Sequence, residues 1–224
     1  MTSLVFIGDP HGEFAKINRF LLAHRSPGTA VLLGDFDLER PFREVFAQAI
    51  AVGWNLRWIL GNHDADNEVF YRNLVDDFPS GEIAGPPIEI NGIRIAGLGG
   101  VIRSKIWNGI DPPLHQSPDD MMRALGHQHR WRKGLPLRQR ATIFKSAVDE
   151  LACHRADILV CHEAPSTHLF GCRFLDELAD AMRVRLIFHG HHHRSYETDL
   201  TLPSGRTCQV RGLGIAECWQ TGDL

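Results

Sequence analysis

The stretch NLRWILGNHD occupies residues 55–64 and joins an apolar run of strand length to a polar tetrapeptide. Catalytic and binding groups of α/β proteins lie where a buried strand ends and a loop begins. Asn62, His63 and Asp64 supply an amide oxygen, an imidazole that can carry a proton, and a carboxylate that can orient an imidazole. A surface turn built around Gly61-Asn62 is the alternative interpretation of the tetrapeptide taken alone.

The same pattern recurs four more times, and each time a short apolar run ends at Asp or His residues. The runs are residues 4–7, followed by Asp9 and His11; residues 30–33, followed by Asp35; residues 158–161, followed by His162; and residues 186–188, followed by His191 and His193. A buried parallel sheet gathers the carboxyl ends of its strands along one edge. We therefore expect side chains far apart in sequence to meet at that edge.

Helical spacing and turn residues place the remaining elements between these strands. The spacing predicts helices over residues 13–24, 41–52, 65–77, 141–153 and 172–182. Asn91-Gly92 between alternating apolar residues predicts a hairpin over residues 88–95. Residues 196–202 and 208–213 are predicted to form a closing antiparallel pair.

With 224 residues the chain is long enough for one well-buried domain, and we expect residues 1–224 to form it. Prolines interrupt residues 101–140, which predicts an irregular insertion that can cap the site. No apolar run is long enough to cross a bilayer, and the first residues do not read as a signal peptide. The five cysteines lack close-paired spacing, which is typical of reduced thiols, so a cytoplasmic location is expected.

The net charge of −3 is unevenly distributed along the chain. Residues 101–145 contain nine Lys or Arg against three Asp, whereas the rest of the chain is acidic. A basic segment beside a site rich in carboxylates favours an anionic substrate. An arginine-rich solvated surface is the alternative, because Arg outnumbers Lys twenty to four throughout the chain.

Polar side chains at the strand ends are candidate metal ligands: Asp9, His11, Asp35, Asn62, His162, His191 and His193. Imidazole and carboxylate together suit Zn, Mn, Fe or Co, and the absence of Cys from the set argues against a structural zinc finger. The set exceeds one tetrahedral shell but suffices for two metals about 3.5–4 Å apart if one carboxylate bridges them. Asp35 is the expected bridge, because it stands alone on its strand between strands that carry other ligands.

In this combination the sequence resembles the calcineurin-like metallophosphoesterase family. The family pattern Asp-x-His, Gly-Asp, Gly-Asn-His-Asp/Glu, a lone His and Gly-His-x-His is matched in order by Asp9-Pro10-His11, Gly34-Asp35, Gly61-Asn62-His63-Asp64, His162 and Gly190-His191-His192-His193. The matches span residues 9–193. The resemblance implies an α/β fold of four layers, α/β/β/α, in which two mixed sheets pack face to face between helices.

The resemblance also implies a role for each matched residue. Asp9, His11, Asp35 and His193 would bind one metal ion, and Asp35, Asn62, His162 and His191 would bind the other. His63 would act as proton donor or oxyanion stabiliser, and Asp64 would fix the tautomer of His63.

One motif departs from the branch of the family that contains Ser/Thr protein phosphatases and dinucleoside tetraphosphatases. That branch has Gly-Asp-x-x-Asp-Arg-Gly, whereas residues 34–40 read GDFDLER. The phosphate-gripping Arg of the motif is out of register, so Arg40 or an arginine of the insertion would have to replace it. The departure argues against assigning the chain as a Ser/Thr protein phosphatase or as a dinucleoside tetraphosphatase.

These observations predict a phosphatase or phosphodiesterase that hydrolyses a phosphate ester with a hydroxide bridging two metal ions, Mn, Fe or Zn. The expected substrate is a phosphorylated small molecule or a nucleotide, and no membrane partner is expected. One alternative is a nucleotide or nucleic-acid phosphodiesterase, or a dinucleoside polyphosphate hydrolase, whose basic insertion holds a second phosphate. The other is a non-catalytic binding subunit on the same fold, although such proteins typically lose ligands that are all present here.

Overall fold

The computed structural model of the protein describes residues 3–24 and 26–220. Within these residues the strands are β1 (Leu4–Ile7), β2 (Thr29–Leu32), β3 (Asn55–Trp58), β4 (Gly85–Ile90), β5 (Ile93–Leu98), β6 (Ile158–Cys161), β7 (Leu186–His189), β8 (Tyr196–Thr201), β9 (Thr207–Gly212) and β10 (Cys218–Gln220). The α-helices are α1 (Phe14–Ala23), α2 (Phe42–Val45), α3 (Ala47–Ala51), α4 (Glu68–Tyr71), α5 (Pro118–Ala124), α6 (Lys145–Ala152) and α7 (Arg173–Ala181).

The strands form two mixed sheets. The first has the order β10-β1-β2-β3, in which β1, β2 and β3 are parallel and β10 is antiparallel to β1. The second has the order β4-β5-β6-β7-β9-β8, with antiparallel pairs at both edges and parallel pairs between them. Helices connect β1 to β2, β2 to β3, β5 to β6 and β6 to β7, whereas β8 lies between the parallel strands β7 and β9 in the chain. A tight turn cannot join two strands that run in the same direction.

Successive side chains of a strand point to opposite faces of its sheet, and the apolar ones therefore form three separate cores. Val5 of β1 packs with Ile17 of α1 on the outer face of the first sheet. Phe6 points to the opposite face and stacks on Phe188 of β7, with ring centroids 3.8 Å apart. Leu159 of β6 belongs to the core between the second sheet and helices α6 and α7. The order of layers is therefore helix, sheet, sheet, helix, and the predicted fold class is confirmed.

The strands that precede the candidate ligands are divided between the two sheets. Strands β1, β2 and β3 belong to the first sheet, whereas β6 and β7 belong to the second. The expectation that one parallel sheet gathers all these carboxyl ends is therefore wrong. The ends still meet, because the sheets pack face to face: Nδ1 of His162, which follows β6, lies 2.7 Å from the carbonyl oxygen of Leu33, which follows β2.

Several other elements differ from the predicted ones. The helix predicted over residues 41–52 is divided into α2 and α3, and residues 65–77 contain α4 followed by a π-helical turn over Arg72–Asp76. The hairpin predicted at Asn91-Gly92 is confirmed as the pair β4-β5. Strand β10 has no counterpart among the predictions, because a three-residue edge strand carries too little apolar alternation to be read from sequence.

The segment 101–140 is largely irregular, as predicted. It contains α5 and short 3-10 turns over His127–His129 and Leu137–Ala141. Ala141 packs with Ala65 and Tyr71, so the end of the segment lies against the loop that follows β3.

The helices in the described part of the chain are short, and α1 has only 10 residues. None of them is long and apolar enough to cross a membrane. This finding leaves the cytoplasmic location as a prediction.

Candidate metal centre

Donor atoms from both sheets form two overlapping groups. One group contains Asp9, His11, Asp35 and His193, the other contains Asp35, His162 and His191, and the donor atoms within each group lie within 4.8 Å of one another. Asn62 belongs beside the second group, because its Oδ1 lies 3.1 Å from Nε2 of His162. The structure thus brings together all the side chains predicted as ligands, and Asp35 is common to both groups.

The backbone is held in an uncommon conformation at these residues. Positive φ angles, in the left-handed region that residues other than glycine rarely adopt, occur at four candidate ligands. The angles are 38° at His11, 55° at Asp35, 68° at His191 and 52° at His193. Such conformations cost about 1–3 kcal/mol each and cluster at functional sites. These four conformations coincide with candidate metal ligands.

Two glycines allow the loops to approach the carboxylates closely. A Cβ atom on Gly190 would lie 2.0 Å from Oδ1 of Asp9, and one on Gly61 would lie 2.2 Å from Oδ1 of Asp35. Either side chain would displace the carboxylate, so the glycines of the Gly-His-x-His and Gly-Asn-His-Asp motifs have a steric role.

Two buried carboxylates, Asp9 and Asp35, lie against histidine rings, an arrangement expected of a cation site. Asp9 is fully buried, its Oδ1 has no hydrogen-bond partner, and burial raises the pKa of its carboxyl to about 6. Burial by itself would lower the pKa of His162, but the charges of Asp35 and Asp9 outweigh that effect and raise the pKa to about 10. The residues therefore fit bound metal ions, which would satisfy both Asp9 and Asp35.

A hydrogen bond from one ring nitrogen of His162 orients the other nitrogen towards Asp35. Nδ1 of His162 donates to the carbonyl of Leu33, so its Nε2 faces Oδ2 of Asp35 at 3.2 Å. Nε2 of His162 lies 3.1 Å from Oδ1 of Asn62 and 3.2 Å from Oδ2 of Asp35, so it needs either a proton or a metal ion. Burial, together with the charge of His162, lowers the pKa of His191 to about 3, which keeps His191 neutral and available as a ligand.

His11 has a partner that the sequence did not assign to it. Its Nδ1 lies 2.8 Å from Oδ2 of Asp37, and this hydrogen bond raises the pKa of the ring above its ordinary value. The other nitrogen, Nε2, lies 2.9 Å from Nε2 of His193. Asp37 therefore orients a candidate ligand, a position that carboxylates commonly occupy behind metal-binding histidines. In the sequence, the position of Asp37 two residues after Asp35 is the only indication of this role.

His63 lies at the edge of the two groups. Its ring centroid is 5.6 Å from that of His11, and its side chain is 46% exposed. Nδ1 of His63 lies 2.7 Å from Oδ2 of Asp66. The backbone N–H of His63 donates to Oδ1 of Asp35 at 2.7 Å, which fixes the loop to the carboxylate shared by both groups.

The prediction that Asp64 fixes the tautomer of His63 is wrong. Residues His63–Ala65 form a 3-10 turn, in which side chains three residues apart lie on the same side, so Asp66 takes the place beside His63. Asp64 points inward and is buried. Its carboxylate accepts the backbone N–H groups of Asp35, Phe36 and Gly61 at 3.0, 2.8 and 2.7 Å. Asp64 therefore joins the loops after β2 and β3.

Comparison with known proteins identifies the family of this site. The pattern of the family described as calcineurin-like phosphoesterase matches residues 2–195. The chain belongs to that family. This phosphoesterase is 34% identical over 194 residues to an uncharacterized protein of Haemophilus influenzae, covering 86% of this chain and 84% of that protein. The crystal structure of TT1561 of Thermus thermophilus shares the fold, with a TM-score of 0.56 at 12% identity over 99% of this chain and 98% of that one.

The family assignment confirms the predicted class of the protein, a phosphoesterase and hence a hydrolase.

Most arginines of the basic segment form hydrogen bonds or ion pairs with other residues of the chain. Arg130 donates to the carbonyls of Met122 and Leu125, Arg132 pairs with Glu68 and Asp76, and Arg140 donates to the hydroxyl of Tyr71. Arg138 also pairs within the protein, but its partner belongs to the site. It lies 3.2 Å from Oδ1 of Asp66, the residue whose other oxygen is bonded to His63. The segment therefore reaches the site through Arg138.

Arg40, the other candidate for binding phosphate, lies near His11. It lines a cavity of about 620 Å³ together with His11 and Asp37. Its exposed guanidinium pairs with Glu44 at 2.9 Å.

The remaining histidines of the motif at residues 189–193 have other contacts. His189 is buried, and its Nε2 lies 2.7 Å from the hydroxyl of Tyr196, so it is packed rather than directed at the donor groups. His192 stacks on His168 with ring centroids 3.9 Å apart. The donor atoms of His192 and Glu163 form a third group with His191, also within 4.8 Å of one another, which does not contain Asp35.

Proposed function

We propose that this phosphoesterase hydrolyses a phosphate ester with two metal ions, drawn from Mn, Fe and Zn, that share Asp35. The observation that carries the proposal is the pair of donor groups joined by that carboxylate. Asp9, His11, Asp35 and His193 would hold one ion, and Asp35, Asn62, His162 and His191 the other. Their mixture of imidazole and oxygen donors suits these transition metals.

His63 is the residue of the chain that would move a proton. When bound, the metal ions would activate a water molecule for attack on phosphorus and offset charge on the phosphoryl oxygens. As the new P–O bond forms and the bond to the leaving group breaks, Nε2 of His63 donates its proton to the departing oxygen. Asp66 accepts the Nδ1–H of the same ring and stabilises the imidazolium before the transfer.

The position of His63 is set by the same carboxylate that joins the donor groups. Its backbone N–H is bonded to Oδ1 of Asp35, while Oδ2 of Asp35 faces His162 at 3.2 Å. This connection holds the backbone of His63 beside the carboxylate shared by both groups, and fixed placement of a reacting group lowers the entropic part of a barrier.

Metal analysis followed by a substrate screen tests the proposal. Metal per chain is measured by mass spectrometry on the purified protein, and phosphomonoesters, phosphodiesters and pyrophosphates are then compared as substrates. We expect hydrolysis of at least one class that is lost on chelation and restored by Mn, Fe or Zn. Hydrolysis that is unaffected by complete removal of metal would contradict the proposal, and metal binding without turnover of any ester would indicate a binding subunit.

A further inference from the structure

Arg103 has a half-buried guanidinium that is held in place without a carboxylate partner. Its Nε donates to the hydroxyl oxygen of Thr142 at 3.1 Å, and that hydroxyl donates to Oε1 of Gln139 at 2.9 Å. Within residues 3–24 and 26–220, no carboxylate forms an ion pair with Arg103 within 4.0 Å, although the charge of Asp66 acts on it. Asp66 attracts the charge of Arg103 but is already paired with Arg138, so the half-buried charge is incompletely compensated and the arrangement favours binding of a further anion.

Arg138 brings a second guanidinium to the same place. It pairs with Oδ1 of Asp66 at 3.2 Å, while Oδ2 of Asp66 holds His63. Arg103 donates to Thr142, and Thr142 donates to Gln139, the neighbour of Arg138 in the chain. Burial and the charge of Arg138 lower the pKa of Arg103, and the charge of Asp66 opposes that shift. Two positive charges thus face one carboxylate, and the excess positive charge lies next to the proposed proton donor.

The backbone fixes the two arginines relative to each other. The N–H of Val101 donates to the carbonyl of Ala141 at 3.0 Å, and the N–H of Ile143 donates to the carbonyl of Val101 at 3.0 Å. Residues 101–103 are therefore joined to the turn over Leu137–Ala141 that carries Arg138. Both ends of the basic segment contribute to this cluster.

We propose that Arg103 and Arg138 form an anion subsite for a second phosphate, carried on the leaving group of the substrate. The inference rests on the proposed function, because His63 would protonate the leaving oxygen and Arg138 is paired with the carboxylate that holds His63. Guanidinium groups match phosphate oxygens with two parallel hydrogen bonds, which a single ammonium cannot do. The substrate class is therefore a compound with two phosphates, one of which is cleaved and the other held.

A matched pair of substrates tests the subsite. Propane-1,3-diol bisphosphate and propane-1,3-diol monophosphate have similar leaving oxygens and differ in the second phosphate. Hydrolysis adds water across one P–O bond and releases inorganic phosphate, which is measured as an initial rate. We expect kcat/KM for the bisphosphate to exceed that for the monophosphate about 10- to 100-fold, as lost hydrogen bonds to charged groups are worth about that factor.

Variants separate anion binding from support of His63. Arg103→Gln is expected to lower the bisphosphate preference about 10- to 100-fold, and Arg103→Lys, which keeps the charge, to restore part of it. Arg138→Gln should lower the preference and also slow both substrates, because it releases Asp66. Arg123→Gln is the control: Arg123 belongs to the same basic segment but its side chain is 73% exposed and faces Asp120 on its own helix. Circular dichroism and thermal unfolding confirm that each variant is folded.

Binding of non-hydrolysable analogues keeps the inference testable if no ester is turned over. Titration calorimetry compares propane-1,3-bisphosphonate with propylphosphonate on the metal-loaded protein, with the free metal concentration buffered. Tighter binding of the bisphosphonate that Arg103→Gln removes and Arg123→Gln leaves supports the subsite. Equal affinity for both analogues, or a preference that Arg103→Gln leaves unchanged, would overturn it. Failure of the proposed function would instead appear as absent hydrolysis of both esters in every variant.

Discussion

Nδ1 of His63 lies 2.7 Å from Oδ2 of Asp66, and this contact determines which ring nitrogen is available to the substrate. With Nδ1–H donated to the carboxylate, Nε2 is the nitrogen that can carry a proton towards a leaving oxygen. Asp66 also binds Arg138 through its other oxygen, at 3.2 Å. One carboxylate therefore links the proposed proton donor to the basic segment.

Replacing Asp66 tests the importance of this contact. Asp66→Asn leaves the ring in place but removes the negative charge that stabilises the imidazolium. We expect hydrolysis of an alkyl phosphate to fall by a factor on the order of 10 to 100, and hydrolysis of a nitrophenyl phosphate to fall much less. Asp76→Asn is the matched control, since Asp76 pairs with Arg132 of the same segment and is 46% exposed. Equal losses for both esters would show that Asp66 supports the loop rather than the proton transfer.

Replacing Asp35 tests whether one carboxylate serves both metal positions. Asp35→Asn keeps an oxygen that can accept the N–H of His63, now bonded at 2.7 Å, so the loop is retained. It removes the charge common to both donor groups, and we expect metal per chain and turnover to fall together. His63→Ala should retain full metal content while losing activity. A fully metal-loaded and active Asp35→Asn protein would contradict the shared site.

Asp64 is expected to matter for stability rather than for proton transfer. Both of its oxygens accept backbone N–H groups, from Asp35, Phe36 and Gly61, so the amide of Asp64→Asn must turn its NH₂ towards a donor. We expect the free energy of unfolding of the metal-free protein to fall by about 1–3 kcal/mol, measured by urea denaturation. Asp149→Asn, at a side chain that is 50% exposed, should change it by less than about 0.5 kcal/mol. An unchanged unfolding free energy in Asp64→Asn would show that these bonds do not stabilise the fold.

The ligand-bearing strand ends can be predicted from sequence, whereas the division into two sheets cannot be. An apolar run that stops at Gly34-Asp35 or at His162 shows where a buried strand meets its loop. Which strands pair is decided by contacts between distant residues: β6 pairs with β5 of the hairpin and not with β3. Only the family resemblance implied the second sheet.

The partners of the histidines are the part of the site that sequence leaves open. Asp64 and Asp66 both follow His63, and only the 3-10 turn places Asp66 beside the ring. Asp37, whose side chain contacts His11, has a φ angle of 57°, and no pattern of residues in the sequence predicts that conformation. Side-chain direction depends on local dihedral angles, which residue spacing does not specify.

The role of His63 itself is tested by the acidity of the leaving group. When phosphorus is attacked, negative charge accumulates on the departing oxygen, and a poor leaving group needs a proton that a good one does not. His63→Ala should therefore slow an alkyl ester by about 10²–10⁴, the range for a lost general acid, but slow a nitrophenyl ester much less. His24→Ala is the matched control, because His24 is bonded to Phe20 and Gln220, outside the donor groups. Rates across esters of graded leaving-group acidity, with metal content confirmed for each variant, give the slope of rate against acidity. A steeper slope in His63→Ala is the expected result, since the departing oxygen must then carry its full charge. An equal loss across the whole series would mean that His63 stabilises the phosphoryl oxygens or the metal ions, and proton donation would have to be assigned to another group.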